Sequence, residues 1–203
     1  MLEFIKSGGW LMLPILLCSV VAMAIIAERF WTLQRHRVTP ANLAVQVWQW
    51  SKNNQIDDAR LRQLRGGSPL GRILASALSS RHLDREQMKE RVEDTGRHVV
   101  HEMERYLNTL GTIASISPLL GLLGTVIGMI KVFALITTQG VGDPSLLAGG
   151  ISQALVTTAA GLTVAIPSLM FYRYFRGRVE SLVVTMEQEA MKLVEALSSD
   201  ELE

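Results

Sequence analysis

The sequence lacks the residues and motifs that several classes of protein require. It contains a single cysteine, Cys18, so an internal disulfide framework is excluded, and the apolar run around Cys18 suits a small packed side chain. It has no phosphate-binding loop, no dinucleotide fingerprint and no nucleophile elbow. The formal net charge is only +1, which gives no electrostatic support for a general nucleic-acid role. We therefore predict a protein that is not an enzyme, needs no cofactor and does not bind nucleic acid.

Aspartate and glutamate are missing from three long apolar stretches, at about residues 9–27, 112–137 and 147–171. Each stretch has the roughly 20 residues that a bilayer-spanning helix requires. Only a helix satisfies its own backbone hydrogen bonds in lipid, so we predict an all-α integral membrane protein with three transmembrane helices. The first stretch is interpreted as a signal anchor rather than a cleaved signal peptide, because Glu28 and Arg29 follow it with no small-x-small cleavage site between.

Lysine and arginine are distributed unevenly around these stretches. Basic residues occur between the first two spans and after the third, among them Arg29, Arg35, Arg37, Arg97, Arg105, Arg173, Arg176 and Arg178. The other side carries only Lys6, since residues 139–146 include no basic residue. Positive charge stays in the cytoplasm, so we predict that the N-terminus lies outside and the C-terminus inside.

This topology divides the chain into six predicted segments. They are a periplasmic N-terminus with the first transmembrane helix (1–31), a cytoplasmic helical segment (32–108), the second transmembrane helix (109–138), a short periplasmic loop (139–146), the third transmembrane helix (147–175) and a cytoplasmic C-terminal helix (176–203). The periplasmic parts are too short to form a receptor or an enzyme.

The cytoplasmic segment has the pattern of several short helices. Amphipathic stretches predict helices at 43–53, 56–64 and 69–79, and the Gly-Gly-Ser-Pro sequence at 66–69 predicts a turn. Asp84 is a predicted N-cap, because Gln87 follows three residues later.

Two long helices are predicted to extend from the membrane into this cytoplasmic domain. Apolar residues recur close to a 3.6-residue period from Met88 to Leu110 with no turn signal, so one helix should run into the second span. The tail after the third span repeats this design with one apolar face, formed by Val179, Leu182, Val183, Met186, Ala190, Leu193 and Leu197.

Small residues form a stripe on the second and third spans. Gly121, Gly124 and Gly128 lie on one face of the second span, and Gly161 lies on a similar face of the third. Close packing of small residues brings helices together in lipid, so we predict helix-packing faces. These faces could join the two spans of one chain, or contact another subunit or a partner helix. Pro167 interrupts the backbone hydrogen bonds of the third span, which predicts a mild kink or an ordinary membrane-helix irregularity.

The polar groups of the spans are few. Thr125 and Lys131 lie in the second span, and Gln153, Thr157 and Thr158 lie in the third. A proton carrier normally needs a titratable group in the membrane, so any conducting carboxylate must come from another chain. The threonines could line such a pathway or bond back to their own helices. Lys131 could face a pore or extend toward the membrane surface.

One histidine pair has the spacing of a metal site. His98 and His101 are three residues apart and lie next to Glu102. No cysteine cluster or third ligand supports them, so a solvated pair is favoured and no metal site is predicted.

The second and third spans also resemble a known family. Their sequences are SPLLGLLGTVIGMI at 117–130 and GISQALVTTAAGLTVAIP at 150–167, which are similar to the two signatures of the ExbB/TolQ/MotA family, closest to the ExbB/TolQ branch. The resemblance implies a bacterial inner-membrane homo-pentamer around a pore lined by these spans. It also implies a dimeric ExbD/TolR-like partner whose single transmembrane helices bring a proton-carrying Asp opposite Thr125 and Thr158. Many relatives have Glu where this chain has Gln153, and Gln cannot titrate.

The resemblance implies a proton-channel subunit of a motor driven by the proton-motive force. Such a motor would energise a TonB-like protein for outer-membrane nutrient uptake, or, as a TolQ-like subunit, a Tol protein for envelope maintenance. A non-conducting membrane scaffold is the alternative from a different class. A solute transporter is disfavoured, because three spans without a charge pair offer little to bind a substrate.

Overall fold

The computed structural model describes residues 9–53, 55–139 and 144–200, and within these ranges it contains eight α-helices and no strand. The helices are α1 (Met12–Thr32), α2 (Arg35–Val38), α3 (Leu43–Lys52), α4 (Asp58–Gly67), α5 (Pro69–Ser79), α6 (Arg85–Met103), α7 (Leu107–Gln139) and α8 (Pro144–Asp200). Lys6 and residues 140–143 of the predicted loop lie outside the described residues.

Three helical stretches are long and apolar enough to cross a membrane. They lie in α1, in α7 and in the first half of α8, where the sequence predicts its three spans. The all-α membrane fold is therefore confirmed. Helix α8 continues without a break to Asp200, as predicted for the third span and its tail.

The chain divides into two compact units. The span unit comprises residues Met1–Glu28 and Tyr106–Tyr174, and the polar unit comprises Arg29–Arg105 and Phe175–Glu203. Within the polar unit, α5 packs against α2, α3, α4 and α6. Its buried face includes Leu70, Ile73, Leu74, Ala77 and Leu78.

The tail of α8 completes the core of the polar unit. Val179, Leu182, Met186, Ala190, Leu193 and Leu197 are buried, as the periodicity predicts, and Val183 is half-buried. At the start of this stretch, the ring of Phe175 meets that of Phe30 edge to face, with 5.0 Å between the ring centroids.

Side chains cap the N-termini of α5 and α6 in the polar unit. The Asp84 carboxylate accepts a hydrogen bond from the Gln87 backbone N–H at 2.8 Å, which confirms the predicted N-cap. The predicted turn at 66–69 needs correction, because α4 continues through both glycines. Only Ser68 separates α4 from α5, and its hydroxyl accepts from the Gly71 N–H at 3.0 Å.

The predicted continuous helix into the second span also needs correction. A turn at residues 104–106 separates α6 from α7, and Tyr106 has a left-handed φ of 64°. In an unbroken helix the Met103 carbonyl would accept a hydrogen bond from residue 107. Here the guanidinium of Arg29, which is 3% exposed, donates to that carbonyl at 2.9 Å. A buried side chain thus takes over a hydrogen bond that the turn removes.

Candidate functional site

The backbones of α7 and α8 approach each other closely within the span unit. A Cβ atom added to Gly161 would lie 2.5 Å from the Ser117 carbonyl oxygen and 3.2 Å from the Gly121 Cα. One added to Gly121 would lie 2.9 Å from the Cα of Thr158. Real Cβ atoms do not approach backbone so closely, so this contact requires glycine on both helices.

The same interface continues along both helices. A Cβ on Gly124 would meet the Thr157 side chain at 2.5 Å, and one on Gly128 would meet the Ala154 Cβ at 2.7 Å. The small-residue stripes of the second and third spans therefore face each other within one chain. Outward from this interface the spans expose large apolar side chains, among them Leu122, Val126, Ile130, Leu155, Leu162 and Ile166.

Thr158 links the two helices directly. Its hydroxyl donates a 2.8 Å hydrogen bond to the carbonyl oxygen of Gly121 on α7, and the side chain is half-buried. A hydroxyl has one hydrogen and two lone pairs, so Thr158 keeps acceptor capacity after this bond is made. This cross-helix bond is possible because the glycine contact brings the two backbones together.

The other threonines bond within their own helices. The Thr125 hydroxyl donates to the Leu122 carbonyl at 2.6 Å, and that of Thr157 donates to the Gln153 carbonyl at 2.9 Å. Thr157 is 1% exposed, whereas Thr125 is half-buried. These bonds satisfy both donors, and the Thr125 oxygen keeps lone pairs.

Lys131, Gln153 and Thr157 come together at a small recess of about 20 Å³. Gly9, Trp10 and Leu11, just before α1, close one side of it, and a Cβ on Gly9 would lie 2.6 Å from the amide nitrogen of Gln153. A recess of this size with polar walls can hold about one water molecule. Thr125 and Thr158 are not part of its lining.

Pro167 lies within α8, which continues through it, and its side chain is exposed. In the next position the Ser168 hydroxyl donates to the Val164 carbonyl at 2.7 Å, so a side chain bonds the backbone beside the proline.

Ser117 was not identified from the sequence as a polar group of interest. It is completely buried, and its hydroxyl has no hydrogen-bond partner in the described part of the chain. Its position four residues before Gly121, on the same helix face as the glycines of the second span, was the available signal.

The histidine pair lies in the polar unit. His98 and His101 are both exposed on α6. The described residues include no group of three or more side chains arranged to hold a metal ion.

Comparison with known proteins identifies one family. The model of the MotA/TolQ/ExbB proton channel family matches residues 66–188. An ExbB-like biopolymer transport protein of Synechocystis sp. is 31% identical, and the match covers 98% of this chain and 76% of the relative. The biopolymer transport protein exbB1 of Vibrio cholerae is 32% identical over 79% of this chain and 72% of the relative. The Tol-Pal system protein TolQ of Haemophilus influenzae is 36% identical over 41% of this chain and 36% of the relative.

Proposed function

Since the chain belongs to the MotA/TolQ/ExbB proton channel family, we propose that it is the channel subunit of an ExbB-like motor in the bacterial inner membrane. This proposal rests on one observation: helices α7 and α8 present threonine hydroxyls, and the two spans that they form contain no aspartate or glutamate. A proton pathway along such spans needs a carboxylate from a second chain.

Thr125 and Thr158 are the proposed contacts for that carboxylate. Both hydroxyls donate to backbone carbonyls, so each offers lone pairs to an approaching group. A protonated carboxyl group can donate to these lone pairs, whereas an ionised carboxylate cannot. The two threonines would then hold the neutral acid, which is the form that carries a proton.

The recess beside Gln153 has a supporting role in this proposal. The Gln153 side chain would hold a water molecule, and Lys131 and Thr157 would border the same water. Gln153 cannot exchange a proton as a glutamate does. We therefore propose that proton transfer in this chain does not pass through a titrating group at position 153.

The proposed assembly is a homo-pentamer around a dimeric ExbD/TolR-like partner, with each partner chain supplying one span and its aspartate. The large apolar side chains on the outer faces of the spans suit contacts with lipid and with neighbouring subunits. The proposed orientation has the N-terminus outside and the polar unit in the cytoplasm, because basic residues concentrate in that unit.

The proposed output is the energising of a TonB-like protein for outer-membrane nutrient uptake. The ExbB names of the relatives with the longest matches support this choice. A TolQ-like role in envelope maintenance is the second candidate, and the shorter match to a TolQ protein supports it.

The first test identifies the assembly. A tagged chain is extracted gently from its native membrane, the co-purifying proteins are identified by mass spectrometry, and the native mass gives the stoichiometry. We expect five copies with a single-span, aspartate-bearing protein. A TonB-like third component would favour uptake and Tol components would favour envelope maintenance. A monomer or dimer without such a partner would contradict the motor.

The second test separates a channel from a scaffold. Thr158→Val removes the hydroxyl at nearly constant size, so proton flux in membrane vesicles holding the native complex should fall about tenfold or more, with assembly unchanged. Thr158→Ser should retain flux. Thr163→Val is the matched control, because that exposed hydroxyl bonds to the Ala159 carbonyl of its own helix and bridges no second span among the described residues. Full flux in an intact Thr158→Val complex would support the scaffold.

A further inference from the structure

A basic cleft of about 550 Å³ lies in the polar unit among α4, α5 and α6. Its charged and hydroxyl-bearing lining includes Arg65, Arg72, Arg91, Ser79, Ser80 and Thr95. The proposed channel makes no use of these residues.

Helix periodicity brings the lining together. Arg72, Ser76 and Ser79 lie at steps of four and three on one face of α5, whose other face is the buried core of the unit. On α6, Arg91 and Thr95 are four residues apart and face this cleft. The Thr95 hydroxyl bonds to that of Ser76 at 2.9 Å, which fixes α6 against α5.

The arginines of the cleft differ in their partners. Arg72 forms an ion pair with Glu102 at 2.7 Å. Arg65 donates to the neutral Ser79 hydroxyl at 2.9 Å, and the Arg91 guanidinium has no hydrogen-bond or ion-pair partner among the described residues. Asp94, the one carboxylate of the lining, is paired with Arg97 at 3.2 Å. Among the described residues, the guanidinium groups of Arg65 and Arg91 therefore border the cleft without forming an ion pair with a carboxylate.

Ser80 adds a hydroxyl to this lining. The residue is 7% exposed, and its hydroxyl makes no hydrogen bond within the described part of the chain. Its hydrogen can therefore be donated to an acceptor that enters the cleft.

We propose that this cleft binds a phosphate group, as a phosphomonoester or diphosphate. A guanidinium matches two phosphate oxygens with parallel N–H groups, and the Ser80 hydroxyl can donate to a further oxygen, whereas that of Ser79 already donates to the Ala75 carbonyl. The volume suits a small ligand. The phosphate could belong to a soluble compound or to a lipid headgroup, since both present the same chemistry. Binding here does not depend on proton conduction by the spans.

The test uses the full chain in its native complex, held in lipid nanodiscs. Calorimetric titration with inorganic pyrophosphate tests the soluble source. Native mass spectrometry in nanodiscs of phosphatidylcholine with or without phosphatidic acid, a phosphomonoester lipid, tests the headgroup source. We expect one of the two probes to bind, and Arg65→Gln and Arg91→Gln each to weaken binding about tenfold. Ser80→Ala should weaken it less.

Two controls make the result specific. Arg81→Gln removes an exposed arginine next to Ser80 that does not line the cleft, so it should leave binding unchanged. Asp94→Asn removes the negative charge of the lining and should tighten binding. Circular dichroism melting curves of the arginine variants should match that of the unchanged protein. Absence of binding by both probes, or equal loss in Arg81→Gln, would overturn the proposal.

Discussion

The two units of this protein have different kinds of internal packing. In the span unit, α7 and α8 meet where side chains are smallest, and an added Cβ at Gly161 would lie 2.5 Å from backbone. In the polar unit, large apolar side chains such as Leu74, Met88 and Leu193 are almost completely buried. A Cβ added to Gly96 or Gly177 of the polar unit would meet nothing within 4 Å.

This difference follows from the surroundings of each unit. Water drives large apolar side chains into a core, so the polar unit gains stability from buried area. Lipid is as apolar as the side chains themselves, so spans gain stability from close contact and hydrogen bonds instead. Removing atoms should therefore damage the polar unit most, and adding atoms should damage the span unit most.

The largest effect is expected from removing a core side chain of the polar unit. Leu74 is fully buried on α5, and Leu74→Ala should lower the free energy of unfolding of this unit by about 2–5 kcal/mol. Denaturant titration followed by circular dichroism measures the change. Val184→Ala, at a position that is 52% exposed on α8, should change stability by less than about 0.5 kcal/mol. Equal effects at both positions would contradict a core built on α5.

Adding a single methyl group should disturb the span unit. Gly161→Ala places a Cβ against the Ser117 carbonyl, so α7 and α8 must separate, at a cost of about 1–3 kcal/mol. The thermal unfolding midpoint in nanodiscs should fall. Gly149→Ala is the matched control on the same helix, because its Cβ would enter open space. An unchanged midpoint for Gly161→Ala would mean that the helices are not in such close contact.

Helix caps of the polar unit should have a smaller effect. Asp84→Ala removes the acceptor for the Gln87 N–H at the start of α6 and should cost about 1 kcal/mol. Asp84→Asn keeps a capping oxygen and should retain most of that stability. Hydrogen exchange at the first turn of α6 would locate the loss. Unaltered exchange there in Asp84→Ala would exclude the cap as a stabilising contact.

The smallest effect should have the opposite sign. Gly96 lies within α6 with open space around its Cβ position, so Gly96→Ala should stabilise the polar unit by about 0.5–1 kcal/mol. The denaturation midpoint should rise. A fall would show that the polar unit, like the span unit, depends on close backbone contact.

Sequence patterns predicted the parts of this fold that depend on local chemistry. Uninterrupted apolar length predicted the three spans, and the side chain of Asp84 predicted the start of α6. Periodicity predicted the buried face of the α8 tail. Each of these signals comes from residues that are close together in the chain.

Features that depend on distant residues were not predictable in the same way. The turn before α7 contains neither glycine nor proline, and Arg29, 74 positions earlier, bonds to the last carbonyl of α6. The Thr158–Gly121 bond depends on the register between two helices, which neither helix encodes alone. The sequence therefore indicated which polar residues the spans contain, but not which of them bridge the spans.

The contact between Gly161 and Ser117 also limits how this gene can change. Every other amino acid carries a Cβ, so any missense mutation of codon 161 forces the same 2.5 Å encounter with a backbone oxygen. No replacement side chain can avoid it, however small or polar. Codons 96 and 177 have no such restriction, because the space beside them is open. Mutational tolerance should therefore differ sharply between glycines of one chain, and a library of variants would separate them without any assay of proton flow.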